Sequence, residues 1–152
     1  MNYQIRPQYP DEPLPYDLLL LADPDREHVD EYVPGSHLYM LELNRQVVGV
    51  GVLQTHEPFA EIVNLAVAPE HQRKGLGRAL LQQLMTAARQ YGIIRLLIAT
   101  GNSSIGQMAL YQQQGFDLID IDRDYFLRHY AEPIWENGIQ CKHQLIFVKT
   151  FE

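Results

Sequence analysis

The stretch that most restricts the fold is residues 61–81, Glu-Ile-Val-Asn-Leu-Ala-Val-Ala-Pro-Glu-His-Gln-Arg-Lys-Gly-Leu-Gly-Arg-Ala-Leu-Leu. It opens as a strand: Ile62, Val63, Leu65, Ala66 and Val67 form an apolar, β-branched run that Pro69 stops. It closes as a helix, with Leu76, Leu80 and Leu84 four residues apart and Tyr91-Gly92 as the terminator. Between them, Gln72, Arg73, Lys74, Gly75, Leu76, Gly77 and Arg78 make a glycine-containing loop that leads straight into the first helical turn. The first turn of a helix has unpaired N–H groups and the positive end of the dipole, so an anion is stabilised there. Arg73, Lys74 and Arg78 add cationic side chains. The stretch therefore reads as a cradle for a pyrophosphate.

Around it the chain alternates strands and helices. A short strand over 3–6 precedes a helix over 16–22 and a second over about 25–32, with Asp23 as its cap and Pro24 at its first position. Residues 38–43 and 46–53 flank Asn44-Arg45 as a hairpin, and Gly49 and Gly51 mark a close approach or a bulge. Residues 93–99 are nearly all apolar and suit a strand buried on both faces. Ser103 or Ser104 caps a helix over 105–114 that Gly115 stops. Residues 116–121 and 143–149 are strands, 122–130 are irregular or briefly helical, and Asn137-Gly138 signals a turn.

The loop lacks the GxxxxGK[ST] of a Walker motif, and Gly75-Leu-Gly77 does not continue as GxGxxG. What it matches is Gln72-x-x-Gly75-x-Gly77 directly after Asn64-Leu-Ala-Val-x-Pro69, followed later by Tyr111-x-x-x-Gly115-Phe116. Together these resemble the GNAT family of N-acetyltransferases. The resemblance is specific over 64–78 and 102–116 and extends over about 3–150. It implies an α/β (α+β) fold: a single domain over 1–152 with a mixed, mostly antiparallel central sheet, flanking helices and a splayed parallel strand pair. It implies direct transfer of acetyl from acetyl-CoA to a primary amine, with no covalent enzyme intermediate and no metal.

The same resemblance assigns residues. The backbone of Leu65, Ala66 and Val67 would pair with the pantetheine arm, and the loop from Gln72 to Arg78 would hold the diphosphate. Tyr111 would be the general acid for the departing thiolate. Asn102 resembles an asparagine that bonds the pantetheine, although it stands nine positions before Tyr111 rather than about seven; a turn or cap role is the alternative. Relatives that draw their base from the strand before that asparagine have a glutamate there, whereas residues 96–100 carry no carboxylate. The base then falls to Glu61 or to a water chain. Simple alternation puts Glu61 on the face of Val63, Leu65 and Val67, opposite Asn64. In such a fold the first two helices lie on the acceptor side, where Tyr16, Glu27 and Glu31 could line an entrance, and Glu132, Trp135 and Glu136 could grip a cation.

Charge narrows the partners. With 12 Lys and Arg against 19 Asp and Glu, the net charge of −7 disfavours nucleic acid and anionic membranes and is compatible with an amine. A single cysteine, Cys141, suits a reducing cytoplasm, and no run reaches membrane length. The six histidines show no paired ligand spacing. Family members are often homodimers, although no stretch here marks an interface. The rival reading is a non-catalytic acyl-CoA-binding or sensing module that keeps the cradle without a working base. The acceptor amine itself cannot be read from the residues.

Overall fold

The computed structural model describes residues 2–152. They form two compact units, one up to Ile93 and one over Ile94–Glu152. The first is built on four antiparallel strands in sequential order: β1 (Tyr3–Pro7), β2 (His37–Leu43), β3 (Gln46–His56) and β4 (Phe59–Val67). Helices α1 (Tyr16–Ala22) and α2 (Arg26–Tyr32) join β1 to β2, and α3 (Leu76–Gln90) follows β4 after a 3-10 turn at Pro69–His71. The β2–β3 connection is the expected two-residue turn, with Asn44 and Arg45 at φ 52° and 68°.

The two faces of this sheet are packed differently. Leu18, Leu19, Val29 and Tyr32 from α1 and α2 cluster with Val50, Val52 and Ala66. On the opposite face, α3 approaches so closely that a Cβ on Gly51 would lie 2.6 Å from Leu84 Cδ1. The two strand glycines therefore mark close approach to a helix. Leu80, Leu81 and Leu84 are completely buried. Burying each contributes on the order of 2 kcal/mol, far more than the intrinsic propensity of any one residue, so packing holds α3 in place.

One detail of register overturns the simple alternation expected for β4. Val52 pairs with Asn64 and Leu53 with Ile62, so Val63 is an inserted residue opposite no partner. A bulge shifts the parity of everything before it. Glu61 pairs with Gln54, which shares a face with Val52, and so lies on the same face as Asn64, under α1 and α2. The cap of α2 also differs: Asp25, not Asp23, accepts from Glu27 N and His28 N. Asp23 is drawn elsewhere, its Oδ2 lying 2.7 Å from His28 Nδ1.

The second unit has β9 (Gln144–Thr150) between β5 (Arg95–Gly101) and β6 (Asp117–Asp122), all antiparallel. Helix α4 (Ile105–Gln113) follows β5, and a five-residue helix α5 (Tyr125–His129) follows β6. Strands β7 (Ile134–Glu136) and β8 (Ile139–Cys141) form a hairpin turned by Asn137 and Gly138 at φ 56° and 72°. The Ser104 hydroxyl does not cap α4 but donates to Glu136 Oε1 at 2.7 Å.

Candidate active site

The loop entering α3 has the shape its composition demands. Gly75 sits at the helix N-cap with φ 81°, a left-handed conformation that costs other residues about 1–2 kcal/mol. Among the described residues no side-chain hydrogen bond caps α3, so the start of the helix is suited to an external acceptor. A Cβ on Gly75 would meet nothing within 4 Å, so the space above the turn is open. Gln72, Arg73, Lys74 and Arg78 are exposed around it, Arg73 itself at φ 64°. Leu76 turns its side chain into the core and can offer only its backbone. Gln72 works inward: its Nε2 donates to the Val67 carbonyl at 2.8 Å, tying the loop to the end of β4.

The three strand residues expected to face a ligand are not equivalent. Ala68 N donates to Val48 O at 2.8 Å, and the same parity makes Ala66 and Val50 a hydrogen-bonded pair. The amide and carbonyl of Ala66 are therefore spent within the sheet. Those of Leu65 and Val67 point to the edge of β4 away from β3, and there the Val67 carbonyl receives Gln72.

Glu61 is exposed at its surface, yet loss of hydration near its carboxyl raises its pKa above the ordinary value. The positive fields of His28 and His56 act in the opposite sense. Asn64 is 4% exposed and donates to Leu19 O at 2.9 Å and to the Tyr32 hydroxyl at 2.8 Å. Its Oδ1 is buried without a partner. Burial pushes the Tyr32 phenol up to about 12. Tyr16 is turned to local work, its hydroxyl donating to Asp30 at 2.6 Å beneath the Arg26 guanidinium.

In the second unit, Tyr111 is 4% exposed on α4, its ring edge-on to Phe147 at 5.8 Å and tilted against Phe116 at 6.2 Å. Burial raises its pKa well above that of a free phenol, so it is a neutral donor at any working pH. The Asn102 carboxamide is heavily committed within the unit. Its Oδ1 accepts from Lys142 N at 2.7 Å and His143 N at 2.9 Å, and its Nδ2 donates to Gln140 O at 3.1 Å. Among the described residues no group of three or more His, Cys, Asp or Glu could hold a metal ion. No described helix is long and apolar enough to cross a membrane.

The acetyltransferase (GNAT) family model matches residues 3–116, spanning the cradle and the Tyr111-x-x-x-Gly-Phe116 motif alike. The chain belongs to the GNAT family. It is 48% identical over 128 residues to the uncharacterized N-acetyltransferase YvbK of Bacillus subtilis, covering 84% of this chain and 83% of that one. A GNAT acetyltransferase from Elizabethkingia anophelis with acetyl-CoA bound superposes with a TM-score of 0.94 at 41% identity, over 99% of each chain. A Bacillus subtilis acetyltransferase in complex with CoA gives a TM-score of 0.93 at 41% identity, covering 99% of this chain and 100% of that one.

This GNAT protein thus has the family's fold, the one in which the Elizabethkingia anophelis neighbour holds acetyl-CoA, an activated acyl donor. The cradle fits that donor on its own evidence: uncapped amides, an open glycine turn and flanking cations suit a diphosphate. The bulge puts Glu61 on the face of Asn64, whose Nδ2 donates to the Tyr32 hydroxyl, and an inserted residue within the apolar pair Ile62-Val63 leaves no mark on the sequence pattern.

Proposed function

We propose that this GNAT acetyltransferase transfers the acetyl group of acetyl-CoA to a primary amine by direct attack within a ternary complex. The observation that carries the reading is the N-terminus of α3 at Gly75, where no described side chain caps the helix and the space beside the glycine is open. Acetyl-CoA would supply an activated thioester; the protein's part is to hold, orient and move protons. The α3 amides, Arg73, Lys74 and Arg78 would bind the diphosphate. Gln72 would act one step back, by fixing the loop to β4. The outward backbone of Leu65 and Val67 would align the pantetheine, with an amide able to stabilise the developing oxyanion. Glu61, whose proton affinity is raised, is suited to take a proton from an incoming ammonium, directly or through water. Tyr111, a phenol that stays protonated, is suited to donate to the departing thiolate. Much of the acceleration would come from holding amine and thioester together.

The test is release of free CoA thiol from acetyl-CoA against a panel containing spermidine, an aminoglycoside, free amino acids, and peptides with an N-terminal alanine or an internal lysine. Turnover with one class is expected. Binding of acetyl-CoA without turnover on any member would contradict the enzyme reading and favour the sensing module.

A further inference from the structure

Helix α4, which carries Tyr111, has no acidic residue in its first turn and no basic one in its last, so it lacks charges of its own that complement a helix dipole. At its start the Ser104 hydroxyl is turned to Glu136 of β7 at 2.7 Å, which brings a carboxylate there from the hairpin. Its end closes on Gly115 at φ 92°, with Gly115 N donating to Gln112 O and Phe116 N to Tyr111 O, both at 3.0 Å. Tyr111 is therefore part of the terminator itself. Its carbonyl takes the Phe116 amide, and its ring lies against the Phe116 ring at 6.2 Å.

Strand β9 meets this end of α4 with two residues of one face. Phe147 stands edge-on to the Tyr111 ring at 5.8 Å, and Lys149, two positions on, reaches Gly115. A Cβ on Gly115 would collide with Lys149 Nζ and lie 3.4 Å from its Cε, so the ammonium rests against the bare backbone of the terminator. Glycine serves there twice, for the left-handed turn and for the space the lysine fills. A cation is stabilised at the carbonyl end of a helix, within its last turn, and Lys149 is half-buried, where salt screens it less. We propose that Lys149 is a positioning residue for Tyr111, its ammonium holding the carbonyl end of α4 so that the phenol keeps one place. The proposal rests on the reading of Tyr111 as the acid. Lys149 itself makes and breaks no bond in the reaction. It acts through distance, because a proton donor works only within hydrogen-bond reach of the departing sulfur.

Kinetics on the best amine of the panel and amide hydrogen exchange test the proposal. Lys149→Met keeps a long side chain without the charge; turnover should fall about fivefold or more, with KM for acetyl-CoA within about twofold of the parent. Lys149→Arg restores the cation and should keep at least about half the parent rate. In a Tyr111→Phe background, Lys149→Met should cost less than about twofold, because the group being positioned is gone. Exchange needs no substrate: in Lys149→Met it should quicken about fivefold or more at Gly115 and Phe116, and stay unchanged along the β5–β9 pairing. A folded Lys149→Met with full turnover, or with unaltered exchange at Gly115 and Phe116, would overturn the proposal. So would a Lys149→Arg as slow as Lys149→Met, or an equal loss in the Tyr111→Phe background, which marks general damage to the fold. Full turnover in Tyr111→Phe alone would remove the acid and its positioning residue together, whereas a slow Tyr111→Phe beside an unaffected Lys149→Met would remove only the lysine.

Discussion

The Gln72 side-chain amide holds the Val67 carbonyl at 2.8 Å, so the last residue of β4 and the first of the glycine loop before α3 are locked together. The contact gives a structural reason for a glutamine at the head of a loop otherwise made of glycines, cations and an inward-facing leucine. Gln72→Ala should leave the fold intact at a cost of about 1 kcal/mol. It should weaken CoA binding several-fold because the loop loses its anchor. Calorimetric titration with CoA, beside a thermal melt of the free protein, checks both halves.

Asn102 should behave as a structural clasp. Its carboxamide answers three backbone groups between Gln140 and His143. Asn102→Ala leaves two N–H donors without an acceptor and should cost about 1–3 kcal/mol in urea unfolding. CoA affinity measured well below the melting temperature should stay within twofold of the parent. A selective loss of CoA binding without loss of stability would return Asn102 to the cofactor.

Tyr111→Phe removes only an oxygen from a ring packed between Phe116 and Phe147. Stability should change by less than about 1.5 kcal/mol, as for other volume-conserving swaps. Turnover should fall by about 100-fold or more, the usual contribution of a positioned proton donor, with the Kd for acetyl-CoA unchanged. Steady-state kinetics on the best panel amine tests this, and an unaltered rate removes Tyr111 as the acid.

The pH dependence follows from Glu61. Its folded pKa lies above the ordinary carboxylate value, so the carboxylate proposed as the base is lost as pH falls through that raised value. The acid limb of the kcat/KM profile should therefore lie above the range of a free glutamate, and Glu61→Gln should flatten that limb while lowering the plateau. The stability effect has the opposite sense. A raised carboxyl pKa contributes stability below the unfolded value and loses it as pH rises through the folded one, so Glu61→Gln should melt slightly higher at neutral pH.

What the residues disclosed and what they hid divides by distance along the chain. The open glycine turn before α3 was legible because everything that shapes it, from Val67 to Arg78, lies within one strand–loop–helix segment. Gly49 and Gly51 announced a close approach, but only the packed sheet identifies Leu80 and Leu84 as the cause. The face of Glu61 was misread because Ile62, Val63 and Leu65 are all apolar. An inserted residue in such a run does not disturb the hydrophobic pattern, and only the pairing with Val52 and Leu53 exposes it. Asp23 and Asp25 flank one proline, and either could cap α2. His28 captures Asp23, a tertiary choice beyond local propensity. The partners of Asn102 lie about forty residues away, so no local motif could distinguish a clasp from a ligand contact.

The most direct measurement is an amide nitrogen–proton NMR titration of the intact protein with CoA. The largest shifts are expected at the backbone amides of Gly75, Leu76, Gly77 and Arg78, saturating together with those of Leu65 and Val67. Saturable CoA binding that leaves the 75–78 amides unmoved would contradict the claim that the uncapped start of α3 grips the diphosphate.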